Sequence, residues 1–123
     1  MSLRISQVHW QALLQALEDT RLQRHVVTYR SLIERLQLPV PAMQTLALAL
    51  EYLALLDAKA SRPLRSALVV SQGATRLPRP GFFECAKRLD CFKGAVDSVE
   101  AQAWHAAEVA RVFDFDYQVV VHD

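Results

Sequence analysis

The chain has 123 residues, 52% of them hydrophobic, with 14 Lys or Arg against 13 Asp or Glu and a formal net charge of +1. A chain of this length buries roughly two thirds of its unfolded surface, enough for one core without a metal or disulfide staple, and its apolar share excludes intrinsic disorder. Its most apolar window, residues 42–56, is broken by Gln44, Thr45 and Glu51 and falls short of the run of about 20 apolar residues that spans a bilayer.

The first predicted helix covers residues 7–19. Ser6 offers an N-cap oxygen, and Val8, Leu13, Leu14 and Leu17 form an apolar face opposite Gln7, Gln11, Gln15 and Glu18. The same glutamines, with His9, interrupt any signal-peptide pattern, so a cytoplasmic location is the expectation. Thr28 caps a short helix through Leu36 that turns Leu32, Ile33 and Leu36 inward. Pro39 and Pro41 stop it, because each lacks an amide donor and restricts the residue before it. Pro41 also suits the first turn of a longer helix to about Ala58. Met43, Leu46, Leu50 and Leu53 make its apolar stripe, and Leu48, Tyr52, Leu55 and Leu56 fill much of the remaining circumference, as in a helix covered on several sides.

At Ser66 the pattern changes. Ala67, Leu68, Val69 and Val70, between Pro63 and Gly73, predict a strand over residues 66–71. Residues 73–81, with Pro78 and Pro80, read as an ordered basic loop. A helix over residues 82–92 follows, and Asp97 or Ser98 caps another ending near Phe113, with Asp97 and Glu100 at capping-box spacing. Residues 115–121 alternate Phe115, Tyr117, Val119 and Val121 with Asp116, Gln118 and Val120, which predicts a strand able to pair with residues 66–71.

Charge is segregated along the chain. Residues 1–58 are neutral, residues 59–93 carry eight bases against Glu84 and Asp90, and residues 94–123 set Arg111 against six acids. Such segregation points either to an anionic partner for the middle or to a tail that folds over the middle and neutralises it.

Catalytic signatures are absent. His9, His25, His105 and His122 fall in no triad pattern, and Gly73, Gly81 and Gly94 open no phosphate loop. Asp114 and Asp116 flank Phe115 and would share one face of an extended chain, the one spacing suited to Mg²⁺, although such a pair is more often solvated. A small enzyme built on them is the third-ranked reading. Cys85 and Cys91, six apart in one predicted helix, lie on different faces at about 100° per residue and cannot bridge. With no Cys-x-x-Cys pair or zinc-spaced His, they read as buried thiols, and no cofactor or metal is expected.

A short helix, a Pro-containing turn, a longer helix, a strand and a basic loop follow one another as in winged helix-turn-helix domains, residues 73–81 standing as the wing. The run His25-Val-Val-Thr-Tyr-Arg-Ser-Leu-Ile-Glu-Arg-Leu, followed by Ala67-Leu-Val-Val, resembles the helical DNA-binding half of alkyltransferase-like proteins, where Val-x-Thr-Tyr-Gly starts the turn unit. The resemblance covers about residues 26–73. Pro80-Gly81-Phe82-Phe83 after the Ala-Leu-Val-Val segment is similar to a turn in small bacterial proteins, a likeness that carries no activity with it. The Pro-Cys-His-Arg signature of alkyl transfer is absent, Cys85 lies beyond the loop, and Arg30 stands where the family has Gly.

The order of predicted elements, with the resemblance over residues 26–73, implies a mainly helical α+β fold: a single winged helix-turn-helix-like domain over residues 1–123, with a small sheet and a C-terminal helix. It also implies noncatalytic DNA binding, possible regulation, and no alkyl transfer. Helix 42–58 offers Gln44 and Thr45 at its start but Glu51 later and little positive charge for base edges. Arg62, Arg65, Arg76, Arg79, Lys87 and Arg88 are therefore the candidate nucleic-acid contacts, acting mainly on phosphates. The alternative is a protein-interaction or oligomerisation module whose basic middle meets an acidic surface. The two part on whether the bases of residues 59–93 stay open or lie beneath the acids of residues 97–123.

Overall fold

Hydroxyl side chains open three of the helices. In the computed structural model, which describes residues 5–117, Ser6 Oγ accepts the amide of His9 at the start of α1, Gln7–Leu22. Helix α1 outlasts its expected end because Arg21, one turn beyond Glu18, pairs with that carboxylate and donates to the carbonyls of Phe113 and Phe115. Thr28 Oγ accepts the amide of Ser31 and opens α2, Tyr29–Leu36, which stops at Gln37 in the left-handed conformation. After the proline turn, α3, Ala42–Lys59, runs through the middle of the molecule with Leu46, Ala49, Leu50, Leu53 and Ala54 buried. Met43, expected in the inward stripe, lies at the exposed margin with Leu48.

The strand expected over residues 66–71 survives only at its end. Residues Arg65–Leu68 wind into a 3₁₀ turn, because the Arg65 amide donates to Asp57 at 3.0 Å and Ser66 Oγ donates to the Leu50 carbonyl at 2.7 Å, tying both to α3 before a ladder can start. Two short strands, β1 (Val27–Thr28) and β2 (Val69–Val70), pair in parallel, Val27 beside Val69 and Thr28 beside Val70. Among the described residues the partner of β2 is thus β1. Residues 118–121 of the expected C-terminal strand lie outside the described residues, whereas Asp114 is helical and the Tyr117 hydroxyl donates to the Pro63 carbonyl at 2.7 Å.

Helix α4, Pro80–Arg88, begins two residues earlier than expected, with Pro80 in its first turn where a missing N–H costs nothing. It stops before residue 92, with Asp90 left-handed. Helix α5, Val99–Asp114, is capped by Ser98, whose Oγ accepts the Ala101 amide. Between β2 and α4 the chain makes a closed loop. The Ser71 amide donates to the Leu77 carbonyl at 2.8 Å, and Gly73 supplies a φ of 136° that residues with a Cβ rarely adopt. This loop leads into α4 and is flanked by no antiparallel hairpin among the described residues.

Two apolar clusters result. One joins α1, α2 and most of α3 with Val69, Val112 and Tyr117; the other gathers Phe82, Phe83, Phe92 and Trp104 around Ala54 and Ala67. The fold is mainly helical α+β, with five α-helices and a two-stranded parallel sheet among the described residues. None of those helices is long and apolar enough to cross a membrane.

Candidate nucleic-acid interface

The six nominated cations divide into two groups. Arg62 and Arg65 converge on Asp57, which is fully buried at the end of α3. Its carboxylate accepts from Arg62 Nε at 2.9 Å and from Arg65 Nε and Nη2 at 3.1 and 2.8 Å. Only 15% and 16% of the two arginine side chains is exposed, and Arg65 also stacks 4.7 Å above the Tyr117 ring. These two act as struts between α3 and the segment after it, with much of their hydrogen-bonding capacity taken up by Asp57. Proximity in sequence, five and eight residues beyond Asp57, was the available signal.

Arg76, Arg79, Lys87 and Arg88 are exposed. The first three make no ion pair among the described residues, and Arg88 Nη2 lies 3.7 Å from Glu51 Oε1 with both side chains partly open. Asp114 pairs with Arg24, and Glu108 accepts the Leu64 amide at 2.7 Å and pairs with Arg111. No ion pair among the described residues joins the acids of residues 97–114 to the bases of residues 59–93.

Two depressions flank α3 on this side and meet at Tyr29 and Arg79. The first, about 370 Å³, lies between α3 and α4 and is lined by Glu51, Phe82 and Cys85 among others. The second, about 490 Å³, adds Arg30, Ile33, Met43, Ser71 and Gln72. The Tyr29 hydroxyl, whose pKa burial pushes up, accepts the Arg79 amide at 3.0 Å and fixes the loop end against α2. Arg30 was not among the nominated contacts, although its place just after Thr28-Tyr29 at the strand-to-helix junction could have marked it.

The other candidates for chemistry are occupied elsewhere. Burial, reinforced by the Glu51 charge, raises the Cys85 thiol, and burial raises Cys91, so neither is poised as a thiolate. His105 is buried, its Nε2 2.8 Å from the Ala67 carbonyl, and burial lowers its pKa. His9 Nδ1 sits 3.0 Å from Ser6 Oγ, His25 is exposed, and His122 lies outside the described residues. Asp114 ends a helix, so it does not share an extended face with Asp116, and its carboxylate is 3.1 Å from Arg24 Nη1. No group of three His, Cys, Asp or Glu among the described residues comes close enough to hold a metal ion.

No family model, curated protein or solved structure matches the chain.

Proposed function

We propose that this chain is a noncatalytic nucleic-acid-binding domain of winged-helix-like design, holding phosphates through Arg76, Arg79, Lys87 and Arg88. One observation carries the reading: among the described residues Arg76, Arg79 and Lys87 make no ion pair and Arg88 only an exposed one, while Asp114 and Glu108 of the acidic tail engage Arg24, Arg111 and the Leu64 amide. The succession of α2, proline turn and α3, with the closed loop in the place of a wing, supports it. Thr45 is buried, which leaves Gln44 as the polar side chain near the start of α3 able to touch a base edge, so recognition is dominated by phosphate contacts.

The test is binding of a fluorescent duplex, and of one of its single strands, between about 50 and about 200 mM salt. Affinity should fall steeply with salt. Replacing Arg76 and Arg79 together by Ala should lower the slope of log affinity against log salt for the duplex by about 2. Absence of binding to either probe at the lowest salt overturns the proposal.

A second reading rests on apolar exposure. Val40 is 91% exposed, and Met43 and Leu48 are exposed on the helix that follows it, apolar side chains that a protein partner or a second copy would cover. Sedimentation over a wide concentration range tests it: a mass that rises with concentration and is fixed at the monomer by Leu48→Glu supports self-association.

A further inference from the structure

Parallel pairing brings two chain exits to one place. Because Thr28 lies beside Val70, the residues that leave β1 and β2, Tyr29 and Arg30 on one side and Ser71 and Gln72 on the other, emerge at the same edge of the sheet. The carboxyl ends of parallel strands are where ligands commonly sit in α/β folds. The loop then returns to this edge, because the Ser71 amide holds the Leu77 carbonyl and the Tyr29 hydroxyl holds the Arg79 amide. Two arginines from distant parts of the sequence thus border one depression of about 490 Å³, with the Ser71 hydroxyl and Gln72 amide beside them and no carboxylate in its lining. The neighbouring depression, in contrast, is lined by Glu51.

Neither arginine is held in a buried pair. Arg79 makes no ion pair among the described residues, and Arg30 Nε lies 3.6 Å from Glu34 Oε2 with both side chains about 70% exposed. An exposed pair at that separation holds the guanidinium loosely. Two guanidinium groups and neutral donors around a concave, acid-free space suit a tetrahedral oxyanion, which accepts several charge-assisted hydrogen bonds at once. The apolar floor of Tyr29, Ile33 and Met43 suits the sugar beside it better than a bare inorganic ion.

We propose that Arg30 and Arg79 form a seat for one phosphate group of a nucleic-acid strand, with Arg30 as a contact outside the basic middle segment. The proposal rests on the nucleic-acid reading above and adds a defined place to it.

The experiment compares wild type with Arg30→Ala, Arg79→Ala and Arg35→Ala, the last removing an equal charge from the same helix at a position paired with Asp19. Binding of a duplex and of a single strand with and without a 5′-phosphate is followed against salt, and thermal unfolding confirms that each variant folds. Arg30→Ala and Arg79→Ala should each lower the duplex slope, by no more than about 0.9 because both serve one phosphate, whereas Arg35→Ala should leave it unchanged. Equal losses with and without the 5′-phosphate assign the seat to a backbone phosphodiester; a wild-type preference for the 5′-phosphate that vanishes in Arg30→Ala assigns it to a terminal monoester. If wild type binds but Arg30→Ala matches it, or Arg35→Ala loses as much, the seat is overturned while the broader reading stands. If wild type binds no strand at low salt, the broader reading falls, and the seat is decided by titration with a nucleoside 5′-monophosphate. Selective shifts of the Arg30, Gln72 and Arg79 amide resonances support it, and their absence overturns it.

Discussion

Asp57 shows how a fully buried charge is made tolerable. It accepts four hydrogen bonds, from Arg62 Nε, the Arg65 amide, Arg65 Nε and Arg65 Nη2, so its lone pairs are satisfied as fully as its site allows. Two positive charges around one carboxylate leave a net cation at the edge, which the Tyr117 ring faces on the Arg65 side. Removing the acid leaves two poorly exposed guanidinium groups without a counter-ion, and breaking a buried pair from one side typically costs about 3–5 kcal/mol. Asp57→Ala should therefore lower the urea midpoint sharply with the slope of the transition unchanged. Arg62→Ala separates structure from recognition: it should destabilise the fold yet leave the salt slope of nucleic-acid binding as it is. A lowered salt slope in a folded Arg62→Ala protein would return that arginine to the contact set.

Helix starts were legible in the sequence because each depends on a local hydroxyl. Ser6, Thr28 and Ser98 each accept the amide three residues on, a pattern that needs no knowledge of the tertiary fold. Strand β1 was not legible. Its two residues, the second of them the helix cap Thr28, display no alternation of their own, and their partner Val69–Val70 lies far along the chain. The 3₁₀ turn was hidden for the same reason, since the Leu50 carbonyl that winds it belongs to another element. The open cations on the loop and α4 were visible as composition; the duty of Arg62 and Arg65 was signalled only by their closeness to Asp57, whose full burial the sequence did not reveal. Helix α5 offers a direct test, because Asp97 and Ser98 are both plausible caps by type. Ser98→Ala should cost about 1 kcal/mol and increase fraying of the first turn in amide exchange, whereas Asp97→Ala should fall within about 0.5 kcal/mol of wild type. The reverse order would show that the cap is Asp97.

At the scale of the whole molecule, His105 ties helix α5 and the 3₁₀ turn into the second apolar cluster. It projects from α5, its Nε2 donates to the Ala67 carbonyl in the 3₁₀ turn, and its ring meets Phe82 and Phe83 edge-on at 6.5 and 6.3 Å. A carbonyl accepts, so Nε2 carries the proton and Nδ1 is bare in the neutral ring. Burial lowers the folded pKa below the ordinary 6.5, the Ala67 bond opposing it to a smaller extent. In the interval between the lowered and ordinary values the unfolded chain binds a proton that the folded chain does not, so stability falls as pH falls. His105 therefore contributes its full share above about pH 6.5 and loses it progressively on acidification until the folded value is passed. Asp19, which Gln15 and Arg35 hold below its usual value, acts in the same direction but in the separate window around and below pH 4. Thermal unfolding between about pH 7.5 and about pH 5 should show a falling midpoint, and His105→Gln, which retains a side-chain N–H for Ala67 but has nothing to titrate, should flatten that decline while lowering the midpoint at neutral pH. A decline of equal depth in the variant would assign the acid sensitivity to another group.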